Sequence, residues 1–182
     1  MAGWKDVKPS KTLLAFIFAR GKSLKDNEPV PTKTHLQKEI FLYVQKFGDI
    51  FADEHYVFKP GWHGPFSKEL SNDLEDLVWS GLVSRDRIEL TVAGFKAGAE
   101  AWRTIDRDKQ RSLITFKEKY NRMNYDELIK TVYDAYPDFT TKSALREDVV
   151  DEYFHRVLKE HDVSEDELVQ ATSLLKKLEV KD

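Results

Sequence analysis

Leu82-Val83-Ser84-Arg85-Asp86-Arg87-Ile88-Glu89-Leu90 is the stretch on which the reading of the fold turns. Apolar ends around a charged centre predict two short strands joined by a turn at Arg85–Arg87. Gly81, just before it, ends a helix that starts near Pro65–Ser67 and carries Leu70, Leu74, Leu77 and Val78 on one face. Thr91, just after it, caps a helix with Val92, Phe95, Ala99 and Trp102 as its expected apolar face.

Further toward the N-terminus, residues 11–20 read as a short helix buried on most sides, started by Pro9 and Ser10 and stopped by Gly21. Residues 22–32 form a loop marked by Pro29 and Pro31. Leu36, Ile40, Tyr43, Val44 and Phe47 then make one helical stripe, closed by Gly48. His55-Tyr56-Val57-Phe58-Lys59 has strand character, and Pro60-Gly61-Trp62-His63-Gly64-Pro65-Phe66 reads as a rigid aromatic turn. The order is helix, helix, extended segment, helix, strand, turn, strand, helix. It is close to that of a winged helix-turn-helix domain.

The remainder reads as helical. Leu113, Phe116 and Tyr120 form one stripe. Asn124 and Glu127 resemble a capping box before Leu128, Ile129, Val132, Tyr133 and Tyr136, and Pro137 ends that helix. Leu145, Val149, Val150, Tyr153, Phe154, Val157 and Leu158 form another face. Ser164 with Glu167 makes a capping box, with Val163 and Leu168 as staple, before Leu174, Leu175 and Leu178. The expected fold class is mainly α with a small β-hairpin. A winged helix-turn-helix-like domain over residues 1–105 precedes a helical region, 106–182, packed on it or mediating association, with a homodimer as one form.

Composition narrows the function classes. The 182 residues are 41% hydrophobic and 34% charged, which suits a globular chain with a core and a heavily ionised surface. The absence of cysteine excludes disulfides, thiolate metal sites and cysteine nucleophiles. The longest apolar run, Leu13–Ala19, falls well short of the roughly 20 residues that span a bilayer, and no stretch reads as a signal peptide. No membrane contact and a cytoplasmic location are therefore expected. The net charge of −3 hides a gradient, because residues 1–46 hold nine Lys/Arg and four Asp/Glu while the rest is acidic. That balance disfavours bulk affinity for nucleic acid but leaves a basic N-terminal third.

No catalytic constellation stands out. His35, His55, His63, His155 and His161 lie outside any H-E-x-x-H pattern, and there is no Walker-type loop, G-x-S-x-G or G-x-G-x-x-G. Asp53, Glu54, His55 and His63 could converge around the turn as metal ligands, and they too suit a structural corner. The reading is of a protein with no cofactor or metal that is not an enzyme. The crowd of Tyr56, Phe58, Trp62, His63 and Phe66 either fixes a corner of the domain or supplies an interaction hot spot, with nucleobase stacking a third use.

Residues 34–47, Thr-His-Leu-Gln-Lys-Glu-Ile-Phe-Leu-Tyr-Val-Gln-Lys-Phe, resemble the "LQK-hydrophobic-FL" helix of the uncharacterised YwgA-like proteins of bacteria and archaea. Tyr56-x-Phe58, His63-Gly64-Pro65-Phe66-Ser67-x-x-Leu70, Asp73-Leu74, Gly81-Leu82-Val83, Tyr133-x-x-Tyr136-Pro137 and Lys142-Ser143 extend the resemblance over residues 10–143. The Gly-Pro turn before a helix is also similar to the Panacea antitoxin domain. Both resemblances imply a winged-helix-like core and transfer no catalytic residues. Gly61-Trp62 departs from the pattern, where a less bulky pair is expected, so a partner surface there would differ.

In a winged helix the helix before the wing normally enters the major groove. Here it bears Lys68 against Glu69, Asp73, Glu75 and Asp76, a charge that phosphates repel. The leading expectation is a regulatory or adaptor protein with a protein partner, contacted through Trp62, His63, Phe66, Glu69 and Asp73. The alternative is a DNA-binding transcriptional regulator that uses Arg85 and Arg87 of the wing with Lys5, Lys8 and Lys11 of the basic N-terminus.

Overall fold

The structure is a computed structural model that describes residues 8–21, 23 and 25–140. The chain separates into two compact units, Met1–Ser143 and Ala144–Asp182, and every described residue belongs to the first. The expected faces and caps beyond residue 140, together with Lys5, lie outside the described residues.

The described part is mainly helical with one small antiparallel hairpin. In order it comprises α1 (Lys11–Phe18), α2 (Lys33–Phe47), β1 (Lys59–Gly61), β2 (Gly64–Phe66), α3 (Lys68–Trp79), α4 (Val92–Arg103), α5 (Arg107–Tyr120), α6 (Tyr125–Ala135) and a 3-10 turn, Pro137–Thr140. Each α-helix starts at a polar side chain that accepts from the first turn: Ser10, Thr32, Ser67, Thr91, Asp106 and Asn124. Asn124 and Glu127 form the full capping box expected of them. Local chemistry therefore sets where the helices begin.

The core gathers around α1 and α2. Leu13, Ala15, Phe16 and Ile17 of α1, and Leu36, Ile40, Phe41 and Tyr43 of α2, are fully buried. Helix α1 is only eight residues long, with no basic residue in its last turn. Its final carbonyls are met instead from α5. The Lys117 ammonium donates to Ile17 O at 2.9 Å, Ala19 O at 2.8 Å and Glu28 O at 2.8 Å. A cation at a helix C-terminus is favourable, and three acceptors match its three protons. Helix α5 otherwise buries the expected stripe of Leu113, Phe116 and Tyr120.

Three expectations are corrected. The first concerns the strand at residues 55–59, of which only Lys59 enters a ladder. The hairpin lies inside the stretch read as a turn, with register Lys59↔Phe66, Pro60↔Pro65 and Gly61↔Gly64 and with Trp62-His63 at its tip. Tyr56 and Phe58 are held by side-chain contacts instead. The Tyr56 hydroxyl donates to Asp73, and Phe58 packs edge-on to Phe41.

The second concerns the pair of strands over 82–90, which is reduced to isolated bridges. Val83 pairs with Leu90, and Val30 pairs with Ile88. Asn27 extends this contact by substituting a side-chain amide for a strand. Its Nδ2 donates to Leu90 O at 2.9 Å, and its Oδ1 accepts from Leu90 N at 2.7 Å.

The third concerns the buried face of α4, which is not Val92 and Phe95. These are 93% and 41% exposed, whereas Gly94, Gly98 and Ala101 are buried. A Cβ on Gly94 would lie 1.8 Å from Leu82 O, and one on Gly98 would lie 3.0 Å from Phe18 Cβ. The absence of side chains lets α4 approach α1 and the 82–90 loop closely. An apolar-stripe reading misses such a face because glycine carries no hydrophobic signal.

Candidate functional site

The hairpin is positioned by two side chains of α2. Gln37 Nε2 donates to Ser67 O and Gln37 Oε1 accepts from Ser67 N, both at 2.9 Å. One turn position later, Lys38 Nζ donates to Pro65 O at 2.7 Å. All three residues are deeply buried, and burial pushes the Lys38 ammonium down to about 8. Behind the hairpin, Phe41 meets Phe58, Tyr136 and Phe139 at ring-centroid distances of 5.2, 5.0 and 4.8 Å. Gly64 has φ +82°, and an added Cβ would lie 2.8 Å from Tyr133 Cε1. The glycine is needed both for the left-handed backbone and for the closeness of α6.

This bracing holds Trp62 75% exposed at the hairpin tip. His63 Nδ1 lies 3.2 Å from the Tyr125 hydroxyl, which anchors the other tip residue to α6. Trp62, His63 and Phe66 line one side of a groove of about 360 Å³. The other sides are Lys33, Thr34, Gln37 and Lys38 of α2 and Leu70, Ser71 and Leu74 of α3. A mostly apolar hollow with a few polar groups and an exposed aromatic at its mouth suits a partner's anchoring side chain.

The other two residues expected at this site lie elsewhere. Asp73 does not line the groove; it accepts from the Tyr56 hydroxyl at 2.8 Å. Tyr56 in turn lies 2.8 Å from Ser10 Oγ, and Glu54 accepts from the backbone N–H groups of Lys11 and Thr12. This network ties α3 to the start of α1. Burial raises the Asp73 carboxyl, while the Tyr56 hydrogen bond opposes the rise, and burial also pushes the Tyr56 hydroxyl well up. Glu69 is exposed and accepts from Ser67 Oγ at 2.9 Å.

The candidate nucleic-acid residues divide into two places. Arg85 and Arg87 line a second hollow of about 440 Å³ with residues 29–33, Leu74, Val78 and residues 83–88. Arg87 lies 3.9 Å from Glu89. Lys8 and Lys11 line a different groove, against Phe51 and α4, and Lys11 pairs with Asp53 at 3.3 Å. The two cationic groups share no lining residue. The four candidate metal ligands have different partners, with Asp53 on Lys11, Glu54 on α1, His55 on Asp49 and His63 on Tyr125. Among the described residues no group of three or more His, Cys, Asp and Glu is placed to hold a metal, and no helix is long and apolar enough to cross a membrane.

Sequence reading missed Gln37, Lys38 and Lys33 as parts of the groove. Gln37 and Lys38 act on backbone 30 and 27 residues away, so no local pattern marks them. Comparison with protein-family models, curated proteins and solved structures gives no match.

Proposed function

We propose that this protein is a regulatory or adaptor protein of the winged helix-turn-helix type that acts mainly through protein–protein contacts. Its docking site is the groove between the hairpin, α2 and α3. The observation that carries the reading is Trp62, held 75% exposed by a hairpin that is itself fixed by buried clamps. An exposed tryptophan on a rigid support loses little entropy on binding, as a hot-spot residue should. The winged-helix assignment draws support from the succession α1, the Val30 bridge, α2, α3 and the bridged 82–90 loop. The resemblance to the YwgA-like proteins and the Panacea domain agrees with it.

Trp79 provides an internal control. It is equally exposed, at 75%, but lines neither hollow. The full chain, Trp62→Ala and Trp79→Ala are used as baits in an extract of native proteins. A partner retained by the parent and by Trp79→Ala but lost from Trp62→Ala is the expected result. Identical retention by all three baits contradicts the groove as the docking site.

A second reading, DNA binding through the 82–90 loop, is favoured by one observation: Arg85 and Arg87 both project from the exposed turn. The acidic residues on the exposed side of α3 weigh against insertion of that helix into a groove.

A further inference from the structure

The two hollows adjoin along the face of α3 that carries Leu70, Leu74 and Val78, with Lys33 and Leu74 lining both, and make a two-part trough. Its apolar lining includes Leu70, Leu74 and Val78. Its exposed charged lining is Lys33, Arg85 and Arg87 against a single carboxylate, Asp86, while Lys38 is buried with its ammonium on Pro65 O. The carboxylates of α3 (Glu69, Asp73, Glu75 and Asp76) line neither hollow. The helix that makes this part of the sequence acidic thus turns its apolar side to the trough and its acidic side elsewhere. A chain of net charge −3 presents a cationic binding surface.

We infer that the occupant of this trough is a short acidic segment of another protein, with an aromatic or aliphatic anchor that seats beside Trp62 and carboxylates that meet Lys33 and Arg85. The inference rests on the groove being the docking site and adds the chemistry of what docks. Complementary charge around an apolar anchor steers encounter and excludes basic or neutral competitors. Lys33 and Arg85 are exposed, and neither has an ion-pair partner among the described residues, so no internal bridge must break on binding. Duplex DNA is also anionic, but its phosphate backbone offers no anchor for the apolar lining.

The test is selection of a displayed library of random peptides on the full chain, followed by binding measurements with the recovered peptides. Binders rich in Asp and Glu around a Trp, Phe or Leu are expected. Their affinity should fall at least about tenfold in a Lys33→Glu/Arg85→Glu variant, weaken with added salt, and be lost in Trp62→Ala. Thermal melts of the variants, whose changed side chains are exposed, confirm that folding is intact. Binders that need Trp62 but are basic or neutral, or that ignore the charge reversal, overturn the inference and leave the groove reading standing. A library with no Trp62-dependent binder overturns both. Duplex DNA that binds more tightly than any selected peptide, and is lost on the same charge reversal, assigns these cations to nucleic acid and overturns the inference.

Discussion

Gln37 and Ser67 hold each other by two hydrogen bonds of 2.9 Å, the carboxamide of one completing the backbone N–H and C=O of the other. Ser67 is fully buried and is also the N-cap of α3, so this single side chain fixes where the hairpin ends and where the helix begins. Gln37→Leu keeps the volume but leaves the buried Ser67 N–H unpaired and Ser67 O with only the longer bond from Ser71 N–H, at 3.3 Å. An unpaired buried backbone group costs about 1–3 kcal/mol, and a loss in that range is expected in denaturant titration. Amide exchange at Leu70, whose N–H donates to Ser67 Oγ, should quicken as well. Unchanged stability would show that the clamp is dispensable.

Three glycine-to-alanine substitutions should rank by what the new methyl meets. Gly81 has φ +72° with nothing within 4 Å, so Gly81→Ala carries only backbone strain, about 1 kcal/mol. Gly64→Ala adds contact with Tyr133 at 2.8 Å and should cost about 1–3 kcal/mol. Gly94→Ala places a methyl 1.8 Å from a backbone carbonyl, which cannot swing aside as a side chain can, and should be the most damaging. Melting temperatures of the three variants test the order.

The buried charges predict a pH dependence. Glu39 is fully buried and neither of its carboxyl oxygens has a hydrogen-bond partner. Burial pushes it up to about 8, opposed by the positive charge of Lys117, which burial pushes down. A carboxyl raised in the folded state contributes stability that is full below its unfolded value and is lost as the pH rises to its folded value. Glu39→Gln is neutral and nearly isosteric with the protonated acid. The two proteins should therefore match near pH 4, and Glu39→Gln should gain on the parent from about pH 5 to about pH 8. Parallel Tm-against-pH curves would show that Glu39 does not titrate in this range.

Salt-dependent gel shifts separate the two functional readings. If the chain binds DNA, Arg85→Glu/Arg87→Glu should weaken binding and flatten its salt dependence by about one unit of slope for each phosphate that an arginine no longer neutralises. Glu69→Ala/Glu75→Ala, on exposed positions of α3, should leave binding unchanged or strengthen it. Collapse in the α3 variant alone would mean that this helix reads bases. No shift by the parent at low salt would leave the protein-partner reading as the one supported.

The sequence determined the helices, because their signals are local. Apolar residues at helical spacing, the caps at Ser10, Thr91 and Asn124, and the glycine stops at Gly48 and Gly81 all act within a few residues of where they stand. It also pointed to Trp62, His63 and Phe66, because aromatics between glycines and prolines are conspicuous in one dimension. Only the tertiary structure decided what those residues face. Asp73 faces not the groove but Tyr56, whose hydroxyl also meets Ser10 at the start of α1. Lys117 serves a helix end that lies a hundred residues away, and Gln37 and Asn27 act as strand partners for distant backbone. A side-chain hydrogen bond depends on two positions that approach only after the core has formed, and neither carries a local trace of the other. The sign of the trough was hidden for the same reason. Net charge is a sum over residues, whereas a binding surface takes the charge of those few that the fold turns toward it.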